Sequence, residues 1–327
     1  MSTSRLTDPE PYAGGARYNY IMRKYYTCDK GFNESADCEG VCWVDVVVPH
    51  CEDEKYLTDT EGVPPMFLEY LRDKDERPRV EREADWIMTI IRIPVKSRSA
   101  GMPYLTVPLG IISRGADRVI TVCYHTNRMI DDFANHTRLK GICFDNTANF
   151  TLRILYSAAY WFLDYLRQLT GDVTGAEKAL EQSVQNSDLL MLMNIQKSLV
   201  FFNTSVKADS MVLERLQTIY ADSLDDDLLE DLGIELRQAD STIAIYSDIL
   251  EGTMGSYASV ISNNVNSVMK RMTGLSIILM VPTFVASLYG MNVDIMLRGR
   301  WAFWIIIAIA VALTAAAFII LRRLKWV

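Results

Sequence analysis

Two uncharged runs near the end of the chain, Met272–Val293 and Trp301–Leu321, constrain its fold more than any other feature. Each is about 20 residues long, and at ~1.5 Å per helical residue that length crosses the ~30 Å hydrocarbon core of a bilayer. One such run also suits a buried helix of a large soluble protein. Two of them, separated only by residues 294–300 and closed by Arg322, Arg323 and Lys325, predict paired membrane helices joined by a short turn. The first run ends in Tyr289-Gly290-Met291-Asn292, which places a carboxamide at the outer end of an apolar helix. Asn292 can cap the helix, because Asn tolerates the left-handed cap conformation. It can also meet a ligand, and the two roles are compatible. Gly290 beside it lets backbone carbonyls come close to an axis.

Charge sets the orientation. Lys270, Arg271, Arg322, Arg323 and Lys325 flank the two runs, against Arg298 and Arg300 in the turn, so the positive-inside rule predicts both termini in the cytoplasm. The first 30 residues contain no apolar signal-like stretch, which agrees with a cytoplasmic N-terminal part and a multi-pass protein of the plasma (inner) membrane. The net charge is −8 although the membrane ends are basic, which disfavours nucleic acid as a partner and favours cations. With three His, no Ser/His or Cys/His arrangement and no Gly-Lys-Ser/Thr phosphate loop, neither an enzyme nor an ATP-driven pump is expected. The six Cys are expected as free thiols in a cytoplasmic setting. Cys38, Cys42, His50 and Cys51 match no common zinc spacing.

Upstream, the pattern changes several times. Residues 1–35 read as a poorly ordered segment and 36–145 as an α/β domain. In that domain 41–48, 86–95, 104–112 and 118–125 read as strands, and Pro65 opens a helix through Arg72. Residues 146–224 form a helical hairpin region: a helix over 151–169 ended by Gly171, a second over 176–202 and a shorter third over 208–221. Residues 225–271 form a stalk helix without proline that runs into the membrane segment, 272–293. An external loop, 294–300, a second membrane helix, 301–321, and a basic tail, 322–327, complete the order. A helix from Asp225 to Met291 is about 100 Å long and cannot bury its face in one small domain, so it needs partner helices. Gly252 and Gly255 are a weak point or a close-packing site in it.

Four segments carry a family resemblance: Tyr289-Gly290-Met291-Asn292, Asn266-Ser267-Val268-Met269-Lys270 before it, Arg77-Pro78-Arg79-Val80-Glu81, and the tail Arg322-Arg323-Leu324-Lys325-Trp326. Together they resemble the CorA magnesium channels over most of the chain. The resemblance implies an αβα cytoplasmic domain, a long stalk helix and two C-terminal transmembrane helices, assembled as a homopentameric funnel in the lipid bilayer. Five copies of the first membrane helix would line one pore, and the second helix would form an outer ring.

The pore chemistry is sensible on its own terms. Mg2+ is slow to dehydrate, so a selective mouth should offer neutral oxygens to a hydrated ion, and a ring of Gly290, Met291 and Asn292 would do so. Stepping back by three or four gives a stripe of Ser287, Thr283, Met280, Ser276, Met272, Met269 and Asn266. Its hydroxyls suit a hydration shell, its Met residues suit a dewetting gate, and ordinary helix packing is the alternative for the Met residues. Pro282 sits one place nearer the Gly-Met-Asn than in the best-known family pattern.

Asp222, Asp225, Asp226, Asp227, Glu230 and Asp231 form an acidic collar at the start of the stalk. A solvated face with acids at a helix N-terminus explains it blandly. The resemblance instead implies a regulatory Mg2+ site between subunits, with Asp231 at the sensor position and Asp227 and Glu230 beside it. The family's partner Asp is Tyr70 here, in Leu68-Glu69-Tyr70, which leaves Glu69 as the substitute. The expected function is thus passive, potential-driven Mg2+ conduction gated by cytoplasmic Mg2+. Its rivals are transport of Co2+, Ni2+ or Zn2+, and a non-conducting membrane-anchored coiled-coil scaffold.

Overall fold

The computed structural model describes residues 23–28, 30–36, 42–97, 101–115, 118–143, 146–182, 186–221, 223–291, 301–324 and 326. They form two compact units. One runs through Ser247; the other holds Asp248 onward together with residues 182–185.

The first unit is built on a seven-stranded sheet. Its strands are β1 (Arg23–Cys28), β2 (Phe32–Ser35), β3 (Cys42–Val47), β4 (Arg79–Glu83), β5 (Trp86–Lys96), β6 (Tyr104–Arg114) and β7 (Arg118–Cys123). They lie in the order β2-β1-β3-β7-β6-β5-β4. Among the described residues only β3 and β7 pair in parallel, with Trp43 opposite Val119 and Asp45 opposite Thr121. That pairing needs a crossover, and α1 (Cys51–Lys55), a π-helical turn (Tyr56–Thr60) and α2 (Pro65–Arg72) lie on it. Pro65 stands at the first turn of α2, where its missing N–H costs nothing.

Both faces of the sheet are covered. Cys42, Val44 and Val46 of β3 join Leu57, Phe67, Leu68 and Leu71 in one core. Gly110 on β6 leaves room there, because a Cβ would lie 2.3 Å from a methyl of the buried Leu71, which would have to shift. Trp43 points the other way, as strand alternation demands. It stacks on Tyr26 and meets Phe133 of α3 (Met129–Lys140) and Phe150 of α4 (Thr147–Gln182) edge-on. α4 and α5 (Asn186–Ile219) pack through Phe162 and Phe202, and the αβα architecture implied by the resemblance is present.

Four expectations need correction. Residues 23–28 and 32–35, read as poorly ordered, are paired strands; their polar and tyrosine-rich text is that of a sheet end held by backbone ladders. Gly171 does not end a helix, because α4 runs on to Gln182. An interior Gly costs only ~1 kcal/mol, and the buried Leu166 and Leu169 hold the helix just before it. The helices expected at 176–202 and 208–221 are divided differently: 176–182 end α4, and the rest is one helix, α5, whose Leu199, Phe202, Val206, Leu213 and Leu216 stay buried through the supposed break. Finally, Cys28 and Cys143 form a disulfide rather than remaining free, with Cα atoms 5.7 Å apart. They are 115 residues apart in sequence, and the left-handed cap at Gly141 turns the chain after α3 back toward β1. Cys51 and Cys123 are free, and burial pushes the Cys123 thiol up to about 12.

Helix α6 (Asp226–Tyr289) has 64 residues, about 96 Å at ~1.5 Å each. It contains Pro282 and passes through Gly252 and Gly255, each beside open space. In the second unit its C-terminal half is followed by α7 (Ala302–Arg323).

Candidate functional site

The second unit has two distinct faces on α6. Gly274 and Val285 are buried and Ile277, Ile278 and Val281 half-buried, and a groove of about 390 Å3 between Ile277, Val281, Val285 and Leu313 marks where α7 lies against this face. The expected stripe of Asn266, Met269, Met272, Ser276, Met280, Thr283 and Ser287 is exposed throughout. At ~100° per residue its centre falls roughly 150° around the helix from the α7 side. Met280 also borders that groove, so it stands at the edge of the stripe.

Two of the stripe's hydroxyls are already oriented. Ser276 Oγ donates to the Met272 carbonyl at 3.0 Å and Thr283 Oγ1 to the Leu279 carbonyl at 2.8 Å. With its proton committed to the helix, each oxygen turns lone pairs outward, as an acceptor for water. Pro282 supplies no N–H to the carbonyl of Ile278 one turn back, so the ladder is weakened beside Thr283. The helix closes with Gly290 N–H on the Ala286 carbonyl at 3.0 Å. A Cβ at Gly290 would meet only ordinary contacts at 3.5 Å, so among the described residues nothing demands glycine there. Met291 is exposed, and Asn292 lies outside the described residues.

Only 11% of the apolar window of α6 and 6% of that of α7 is buried. Surface of that extent needs lipid or further copies to cover it.

The acidic collar divides into separate roles. Asp225 caps α6: its Oδ1 accepts the N–H groups of Asp227 at 3.1 Å and Leu228 at 3.2 Å, and its own N–H reaches Asn149. Asp226 and Asp227 fill the first turn, where the helix dipole favours acids. Glu230 lines a groove of about 470 Å3 with Glu214, Gln217 and Arg237. Asp231, one residue on, lines another, of about 570 Å3, against α3 and α4. Glu69 is exposed on α2, and Tyr70 lies under the Arg79 guanidinium, 4.6 Å from ring centroid to cation. Within one protomer, Glu230 and Asp231 thus face different grooves. Among the described residues no three His, Cys, Asp or Glu side chains are placed to hold a metal ion. Asp222 lies outside the described residues.

Sequence reading missed the groove opposite Asp231, which includes His136, Lys140, Arg153, Tyr156 and Tyr160. A signal existed: Asp132, His136 and Lys140 recur at every fourth residue of α3, as Tyr156 and Tyr160 do on α4. Burial, reinforced by the charges of Glu235 and Asp231, raises the Tyr156 hydroxyl above its ordinary value.

A covered α/β sheet, one very long helix, and two helices long and apolar enough to cross a membrane define a class of membrane protein with a large extramembrane domain. The profile of the family described as CorA-like Mg2+ transporter protein matches residues 38–323. The chain belongs to the CorA family. It is 25% identical over 295 residues to the cobalt/magnesium transport protein CorA of Methanocaldococcus jannaschii, covering 87% of this chain and 91% of that one. The complete structure of the CorA magnesium transporter from the same organism superposes with a TM-score of 0.80 at 21% identity, over 95% of this chain and 100% of that one. The cytoplasmic domain of ZntB from Vibrio parahaemolyticus shares the fold more distantly, with a TM-score of 0.52 at 14% identity over 74% of this chain and 97% of that one.

Proposed function

We propose that this chain is a passive, membrane-potential-driven Mg2+ channel, in which five copies place α6 around one pore and α7 outside it. The carrying observation is the exposed stripe of α6 on the side away from α7, leading to Gly290 and Met291, after which Asn292 is next in sequence. Family membership and the cobalt/magnesium and magnesium transport proteins among its relatives support the same reading.

Mg2+ holds its water firmly, so a ring of Asn292 carboxamides can pass it as a hydrate, whereas a carboxylate ring would bind too tightly for release. Below the ring, Thr283 and Ser276 offer acceptor oxygens at successive levels, and Met272 and Met280 narrow the path. The membrane potential supplies ~2.3 kcal/mol per unit charge per 100 mV, twice that for a divalent ion, so no chemical energy source is needed. Both termini lie in the cytoplasm, where Mg2+ bridging Asp231 of one copy and Glu69 of the next holds the pore closed. The name of the M. jannaschii relative also favours Co2+ as a second ion.

The test is flux of Mg2+, Co2+, Ni2+ and Zn2+ into proteoliposomes, wild type against Asn292→Ala. The expected outcome is potential-dependent Mg2+ entry that falls at least tenfold in the variant. Unaltered Mg2+ flux in Asn292→Ala would refute the filter, and no flux of any ion in the wild type would favour the scaffold. For the gate, Mg2+ protection of wild type from proteolysis should be lost in Asp231→Ala.

A further inference from the structure

We propose that the Cys28–Cys143 disulfide is a reversible redox switch, which sets how firmly the start of α6 is held and so how much Mg2+ closes the pore. Small thiols keep most cytoplasmic cysteines reduced, and the disulfides found there are usually exchanging or redox-sensing ones. Both cysteines are half-buried, so a small thiol can reach the bond. The inference rests on the reading that this unit is cytoplasmic and that Mg2+ at Asp231 closes the pore.

The link sits where the end of α3 meets the turn after β1. That turn rests on the last turn of α3: a Cβ on Gly31 would lie 2.7 Å from the Arg138 Cα and 2.9 Å from the Thr137 carbonyl oxygen. Ile142 N–H still bonds back to the Thr137 carbonyl at 3.0 Å. Beyond it, among the described residues, Cys143 is held by the disulfide and by the Gly31 N–H, 3.4 Å from its sulfur. Three residues on, Asn146 Nδ2 donates to the Ser223 carbonyl at 2.8 Å, and Asn149 Oδ1 accepts the Asp225 N–H at 2.9 Å. Asp225 in turn caps α6, whose second turn carries Asp231. The segment anchored by the disulfide therefore holds the turn from which α6 starts. Lys140 and Ile142, beside the link, also line the groove that Asp231 faces, with Asp132 and His136 farther along α3. The Lys24–Asp131 ion pair, at 2.6 Å, and the bond from the Trp161 indole N–H to Asp132, at 3.3 Å, do not depend on the disulfide. Reduction thus frees the end of α3 nearest α6 and leaves the rest docked.

The exchange balances with a small cellular thiol as reductant. Its thiolate attacks the Cys28 sulfur, the S–S bond breaks, and Cys143 leaves as a thiolate that the Gly31 N–H stabilises. A second thiol attacks the small thiol's sulfur in the mixed disulfide and expels Cys28. Two electrons pass to the protein, the protons of the two thiols end on Cys28 and Cys143, and one small disulfide is released. That small disulfide drives the reverse reaction.

The test titrates the full-length protein in detergent with reduced and oxidised glutathione, traps free thiols by alkylation and reads Cys28 and Cys143 by mass spectrometry. The expected result is a bond opened by millimolar reduced glutathione and re-formed by the oxidised form. Protection from proteolysis should then need roughly fivefold or more Mg2+ in the reduced protein than in the oxidised one. Cys28→Ser and Cys143→Ser should each match the reduced protein under both conditions, which separates this link from the disulfide of Cys42. Hydrogen exchange at Asn146 and at the start of α6 should be faster after reduction. A bond that glutathione does not open, cysteines that stay unpaired under oxidising conditions, or equal Mg2+ midpoints in the two forms would overturn the switch. If Mg2+ protects neither form, the gate fails instead and exchange decides: faster exchange after reduction supports the switch, and unchanged exchange contradicts it.

Discussion

Asp45 sits in the sheet with 2% of its surface exposed, accepting one hydrogen bond from Thr121 at 2.7 Å. Thr121 in turn accepts the Trp43 indole N–H at 2.9 Å, which fixes the direction of its hydroxyl. Burial dominates and pushes the Asp45 carboxyl up to about 7; Asp131 nearby adds to this, while Thr121 and Lys24 oppose it. The folded value lies above the unfolded one, so folding takes up a proton. The stability contribution is complete below about pH 4 and is lost as pH rises through about 7. The melting temperature is therefore expected to fall between about pH 4 and pH 7, and Asp45→Asn, which still accepts from Thr121, should flatten that slope in thermal denaturation. Part of the slope will persist, because Asp209 is also buried, its Oδ2 has no hydrogen-bond partner among the described residues, and its carboxyl is likewise raised. Gly110 makes the opposite point, about space. Gly110→Ala should cost roughly 1–3 kcal/mol in a denaturant titration, because the added methyl enters Leu71. Neither effect is readable in sequence, where Asp45 is one acid in a strand and Gly110 one glycine in another.

Among the elements, α6 serves two environments with one continuous helix. Its start is a capping problem solved by Asp225, and Asp225→Ala should cost about 1 kcal/mol by chemical denaturation, with the α6 end fraying first in hydrogen exchange. That result would assign part of the acidic collar to helix formation and leave Asp231 as the acid that faces a groove. The strands divide by legibility. β5 and β6 were plain in the sequence because each is a long apolar run, and α2 because Pro65 marks its start. β4 was not, because Arg79-Val80-Glu81-Arg82-Glu83 is a charged strand at the sheet edge, where such residues are tolerated. The α4–α5 boundary was misplaced because Gly171 looks like a stop while the packing around Leu166 and Leu169 carries the helix through it.

For the whole molecule, the membrane pair was legible because an uncharged run of bilayer length is a local property. The Cys28–Cys143 link and the groove facing Asp231 were not, since each joins segments a hundred or so residues apart. The stripe stands between these cases. Its period could be read along α6, but its place on the side away from α7 needed the packing of Val285, Val281 and Ile277. That placement is the central claim, and chemical access from water tests it most directly. Ser276→Cys lies on the stripe, and Leu275→Cys lies ~100° away on the same turn, also exposed in one protomer. Mg2+ flux into proteoliposomes would be measured before and after a positively charged, water-soluble methanethiosulfonate. The account requires strong block in Ser276→Cys and little change in Leu275→Cys or in the treated wild type. Equal block at both positions, or none at Ser276→Cys, would contradict it.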